Sequence, residues 1–245
     1  MKELPENYQK ENETVKKKYF LFLAFLLLIF LTPLSAGEPA AQSPEYWNAK
    51  AQEYIDAGKA NEALACLKNS LTLDNRQYPI WLQAGNIFMA LGDSARATKC
   101  FDSAINLNPR QVDPWIGKGM LLEASGNLSG AMTCYDKALD IDPGFSQLWA
   151  KKAMYAYNQG QLTEAIKYFQ EALKRDDSDA TVWYRLAKAQ NEQGDNSGAL
   201  NSCNQALKKN PNLADAWELK AYLLDGLGNN DEAQHCRDKA AALKK

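Results

Sequence analysis

Small and apolar residues recur at intervals of three and four along most of this chain, in short blocks divided by single turn residues. Between Trp81 and Gly92, and again between Ala97 and Pro109, that spacing puts the apolar positions on one helical face. The two-block pattern occurs six times, and tryptophan marks its phase. Trp47, Trp81, Trp115, Trp149, Trp183 and Trp217 lie 34 residues apart, and the chain has no other Trp. A fixed period of this length predicts a solenoid, in which each unit buries its apolar face only against its neighbours. The predicted repeats are 44–77, 78–111, 112–145, 146–179, 180–213 and 214–245.

With Pro44 as position 1, each unit reads as two helices. Position 15 is Gly in all six copies, from Gly58 to Gly228, and predicts the end of the first helix, where a left-handed residue is cheapest without a Cβ. Position 8 is small in every copy, position 20 is always Ala, and position 27 is Ser70 and then Ala. Two antiparallel helices approach closely only where small side chains face each other. Pro109, Pro143 and Pro211 at position 32, with Asn75 and Asp177 in two other copies, predict the turn that closes the second helix.

These residues resemble the tetratricopeptide repeat, whose unit runs W-x2-L-G-x2-Y, A-x3-F and P over 34 residues. The second repeat matches most fully, with Trp81, Ala84, Gly85, Phe88, Ala97, Phe101 and Pro109. The third gives Trp115, Gly119, Leu122, Ala131, Tyr135 and Pro143. The fourth has Ala156 at the Tyr position, and the fifth has Gln190 and Cys203 at the two aromatic positions, which predicts a softer core there. The resemblance covers about 200 of the 245 residues. It implies an all-α fold, a right-handed α-solenoid of six helix–turn–helix repeats. In the last repeat Arg237 replaces the large apolar residue, as expected of a polar terminal face.

One organised feature precedes the repeats. Residues 19–37 carry no charge, and Phe20 to Leu31 is entirely apolar. Nineteen residues of helix span roughly 28 Å, close to the hydrocarbon thickness of a bilayer. Lys16, Lys17 and Lys18 stand immediately before this segment, and no Lys or Arg follows until Lys50. The asymmetry predicts a cytoplasmic N-terminus and extracytoplasmic repeats. Residues 1–18 then form a charged leader, 19–37 a transmembrane helix and 38–43 a linker. Pro33 and the small residues Ser35, Ala36 and Gly37 also fit a signal peptide, which would leave a secreted protein after cleavage.

Charge and chemistry narrow the function. The formal net charge is −2, with no large block of one sign in the repeats, which disfavours nucleic-acid binding. Cys66, Cys100, Cys134 and Cys236 share position 23, and Cys203 holds position 24. Equivalent positions on adjacent helices are expected ~8–10 Å apart, beyond the ~7 Å Cα limit for a disulfide, so free thiols are expected. There is no C-x-x-C, and His235 is the only histidine, so neither a metal nor a cofactor is expected. No phosphate-binding loop or nucleophile–histidine pair points to an enzyme. Asn127–Leu128–Ser129 forms a glycosylation sequon, which adds only an expectation of exposure.

Function is therefore expected on the inner face, which the resemblance assigns to positions 2, 5, 9, 12 and 13 of the first helices, with position 6 nearby. The candidate groove residues are Leu82, Asn86, Met89, Ile116, Met120, Lys151, Met154, Tyr157, Arg185 and Lys188. Methionine-rich surfaces adapt to varied peptides. A partly apolar segment of a protein partner, with an acidic group meeting Lys151, Arg185 and Lys188, is the expected ligand. The family's carboxylate clamp is not expected. Asn86 could supply one of its asparagines, but Leu82, Gly117 and Gln147 stand where its other polar residues are needed. The expected role is a non-catalytic, membrane-tethered interaction scaffold. The alternative is a secreted subunit of an export, envelope-assembly or glycan-handling complex.

Overall fold

A computed structural model describes residues 43–244. The predicted leader, the apolar segment and the linker up to residue 42 lie outside the described residues. Among the described helices none is long and apolar enough to cross a membrane. The chain divides into two compact units at residues 74 and 75.

The first unit holds one helical hairpin, α1 (Pro44–Asp56) and α2 (Ala60–Leu73). Ser43 caps α1 by accepting from the Tyr46 amide at 3.2 Å, with Pro44 in the first turn. The position-27 serine has a local purpose: its hydroxyl donates to the Pro44 carbonyl at 3.3 Å, pinning the start of α1 to α2.

The second unit holds five hairpins: α3 (Tyr78–Ala90) with α4 (Ser94–Leu107), α5 (Val112–Ala124) with α6 (Leu128–Ile141), and α7 (Ser146–Asn158) with α8 (Leu162–Arg175). They are followed by α9 (Ala180–Gln193) with α10 (Asn196–Lys209), and α11 (Ala214–Gly226) with α12 (Asn230–Leu243). Each helix packs on its hairpin partner, and within the second unit each second helix packs on the first helix of the next hairpin. All described elements are helical.

The position-15 glycines end the first helices as predicted, each at positive φ between 70° and 90°. The residue after each glycine donates back to a carbonyl five residues earlier, as Asp93 does to Phe88 at 2.9 Å. Position 16 then caps the second helix in three copies. Asp93, Asn127 and Asp195 accept from the amides of Arg96, Gly130 and Gly198 at 2.9–3.0 Å. The sequon asparagine is thus exposed and also serves as a helix cap.

The turn between repeats is built one residue earlier than the prolines suggest. The second helices end at position 30, and Asn108, Asp142, Asp176 and Asn210 at position 31 take extended backbone. Each accepts from the amide two residues on, at 2.8–3.3 Å, forming an Asx turn. Tryptophan closes the same turn from the next repeat. The indole N–H groups of Trp81, Trp115, Trp149, Trp183 and Trp217 donate to the carbonyls of Asn75, Pro109, Pro143, Asp177 and Pro211 at 2.8–3.0 Å.

Position 24 fills the core between repeats. Phe101, Tyr135, Phe169 and Cys203 are all fully buried. Phe101 is clamped between two glycines: a Cβ on Gly85 of α3 would lie 2.7 Å from its ring, and one on Gly117 of α5 only 2.5 Å. The fifth repeat, with Gln190 and Cys203 at the aromatic positions, satisfies its polar group internally. The buried Ser202 hydroxyl donates to Gln190 Oε1 at 2.6 Å. All five cysteines are buried free thiols, as predicted.

Candidate functional site

The second unit carries a groove of about 490 Å³ along α7. Gln147, Ala150, Lys151, Met154 and Asn158 form its floor, with Leu128 and Met132 of α6 to one side. Asp176, Asp179, Val182 and Arg185 close the other side. These residues project together because positions one turn apart on a helix share a face. A smaller recess of about 120 Å³ adjoins it between α7 and α9, lined by Met154, Tyr157, Phe169, Tyr184, Arg185 and Lys188. Met154 and Arg185 border both cavities, so the recess and the groove lie side by side.

The predicted groove residues divide into three groups. Lys151, Met154, Tyr157, Arg185 and Lys188 are brought together around these two cavities. Leu82, Met89 and Ile116 are half-buried and pack into the cores around Phe101 and Tyr135. Asn86 and Met120 are exposed, Met120 with 44% of its surface free, and neither borders the two cavities. Met132, Leu128 and Val182 were missed. They stand on α6 and at the start of α9, outside the positions assigned to the inner face, and only the packing of these helices beside α7 brings them to the groove.

The cations differ more than their charges suggest. Lys151 Nζ donates to both carboxylate oxygens of Glu123, at 2.7 and 2.9 Å, and lies 5.8 Å from the centre of the Tyr135 ring. The Tyr135 hydroxyl donates to the same carboxylate at 2.7 Å. Burial works to raise the Glu123 pKa, but hydrogen bonds from Lys151 and Tyr135 outweigh it and hold the carboxyl below its ordinary value. Lys151 is thereby neutralised within the protein. Lys188 instead lies 5.6 Å from the centre of the Tyr157 ring, a cation–π contact. The Tyr157 hydroxyl donates to Glu192; burial first, and that carboxylate second, push its pKa up to about 12. Arg185 is exposed at the groove edge. Among the described residues no carboxylate makes an ion pair with Arg185 or Lys188.

Chemically the groove is mixed: Ala150 and Met154 alternate with Gln147, Lys151 and Asn158 on its floor, and Asp176, Asp179 and Arg185 stand on its wall. Burial raises the pKa of every cysteine, Cys100 to about 11 and Cys203 to about 12, so these thiols are poor nucleophiles.

Solved structures share the fold. YrrB, described as a TPR protein with an unusual peptide-binding site, aligns at 18% identity with a TM-score of 0.65, over 72% of this chain and 91% of that one. A tetratricopeptide repeat protein from Parabacteroides merdae aligns at 18% identity and a TM-score of 0.64, over 82% of this chain and 80% of its own. MamA aligns at 18% identity and a TM-score of 0.60, over 65% of this chain and 94% of its own. No curated protein matches the chain. Models of the tetratricopeptide repeat match residues 82–144 and 151–214, more than half of the chain. Further such models match 134–167, 202–235 and 44–77. With the repeat phase, the hairpins and these matches in agreement, the chain belongs to the tetratricopeptide repeat family.

Proposed function

We propose that this protein is a non-catalytic interaction scaffold, tethered to a membrane by residues 19–37, whose groove along α7 holds a segment of a partner protein. The observation that carries the reading is the groove itself. It is a concave, half-apolar surface of about 490 Å³ with Met132 and Met154 on its walls and floor and an unpaired arginine at its edge. Methionine side chains adapt to different partner shapes at low cost. The peptide-binding site named for YrrB, a protein of the same fold, supports a groove ligand here.

The membrane tether rests on the uncharged segment and the lysines before it. The small residues Ser35, Ala36 and Gly37 favour a second reading, a secreted subunit of an export, envelope-assembly or glycan-handling complex. Tags at both ends separate the two. A mature protein that keeps both tags in the membrane fraction supports the tether, and loss of the N-terminal tag supports cleavage.

The groove is tested by crosslinking and mass spectrometry on intact membranes, followed by pulldown of the crosslinked partner with variants. Met154→Asp and Arg185→Glu are expected to lower recovery at least fivefold. Unchanged recovery with both would rule out the groove as the binding surface.

A further inference from the structure

The recess between α7 and α9 has a composition that no other part of the groove shares. Phe169, fully buried, forms its base, and Met154, Tyr157 and Tyr184 surround it. Arg185 and Lys188 stand at its mouth, and no carboxylate lines it. Elsewhere in this unit, lysines on the first helices are matched by the protein's own acids. Lys118 pairs with Asp102 at 2.6 Å, Lys151 with Glu123 at 2.7 Å and Lys152 with Asp136 at 2.5 Å. Two cations left without an ion pair beside an apolar recess form a surface complementary to an apolar group next to a negative charge.

We propose that this recess is the specificity pocket of the groove, and that it takes one aliphatic side chain of the partner while an adjacent Asp or Glu side chain of the partner meets Arg185 and Lys188. The inference rests on the groove reading above and names the chemistry recognised there. About 120 Å³ is somewhat less than the ~150 Å³ of an apolar cavity that holds benzene, which suits the four carbons of a leucine side chain and is small for an indole. The acid belongs to an internal residue. Met154 and Arg185 border both cavities, so a chain seated in the groove passes the mouth of the recess and continues along α7. Lys151, held by Glu123, takes no part in reading the charge. Arginine and lysine also differ in role. Arg185 can bind a carboxylate through two parallel N–H groups, and Lys188, placed over the Tyr157 ring, adds a point charge.

The test uses the full-length chain against an array of synthetic octapeptides blocked at both ends. Leu, Ala or Trp is placed at one position, and Glu, Gln or Lys at the next. Leu–Glu peptides are expected to bind. Replacement of Glu by Gln, or of Leu by Ala or Trp, is expected to weaken binding at least fivefold. Fluorescence anisotropy of the best peptide is then compared for Arg185→Glu, Lys188→Glu and Gln147→Trp. The last of these fills the groove floor from an exposed position without touching the recess. Circular dichroism checks that each variant folds. A loss of tenfold or more with both charge reversals supports the pocket. Binding indifferent to Gln for Glu, unchanged by both reversals, or confined to peptides with a free C-terminal carboxylate would overturn it. If such binding still falls with Gln147→Trp, the groove reading stands and the pocket alone fails. If no peptide binds, or Gln147→Trp changes nothing, both fail.

Discussion

The indole N–H of Trp149 donates to the carbonyl oxygen of Pro143 at 3.0 Å, across the turn that joins two repeats. Five tryptophans repeat this bond, each to a residue six positions earlier. Trp149 is also flanked by cations, with Arg175 at 4.8 Å and Lys152 at 5.2 Å from its ring. Trp115→Phe keeps an aromatic ring but removes the donor to Pro109, and should cost about 1 kcal/mol. A lowered thermal midpoint with unchanged helical circular dichroism is the expected result.

Gly117→Ala sets two effects against each other. Helix propensity favours Ala by about 1 kcal/mol, whereas forcing a methyl group against a packed ring costs about 1–3 kcal/mol. The new Cβ would lie 2.5 Å from the fully buried Phe101, so the clash wins and urea denaturation should show a net loss. Adding Phe101→Leu should restore part of that loss, since it withdraws the ring.

Glu123 makes stability depend on acid. Its folded pKa is depressed, so its contribution is complete above the unfolded value of about 4.3 and disappears as pH falls through the folded one. Wild type should therefore lose stability below about pH 4.3 more steeply than Glu123→Gln. Urea midpoints measured from pH 7 to pH 3 on both proteins check this, and their difference should shrink toward the acid end.

The buried Ser202–Gln190 bond should behave as a unit. Gln190→Ala strands a buried hydroxyl and should cost about 1–3 kcal/mol. Gln190→Leu combined with Ser202→Ala removes both polar groups and should cost less than the single change. A double-mutant cycle by chemical denaturation measures the coupling.

The cysteines should resist alkylation while the protein is folded. They are buried, and burial pushes Cys100 to about 11 and Cys203 to about 12, which leaves little thiolate at pH 8. Iodoacetamide should add nothing to these two in the native protein and label both in urea, as read by mass spectrometry.

Much of this was legible in the sequence because it depends on short-range geometry. A Gly at position 15, Ala at position 20 and apolar residues three and four apart fix helix ends and faces within one hairpin, and repetition removes the ambiguity of a single copy. Even the Asx turns were visible, as Asp or Asn at position 31 in five copies, although the prolines beside them drew attention to position 32. The free thiols followed from their shared phase in the same way.

Periodicity alone determined the repeat and its two helices. It could not decide how one hairpin leans on the next, and the site depends on that. Glu123 and Lys151 are 28 residues apart in sequence, yet their contact neutralises a lysine that the sequence offers as a ligand-binding cation. Met89 and Met154 occupy related inner-face positions and each packs on a core, around Phe101 and Phe169 respectively, but of the two Met154 alone borders the groove and the recess. The physical reason is that residues in successive repeats meet according to helix packing distance and stagger. Those follow from the volumes of Phe101, Tyr135 and Phe169 against small residues such as Gly85, Gly117 and Gly119, and only the tertiary structure sums them.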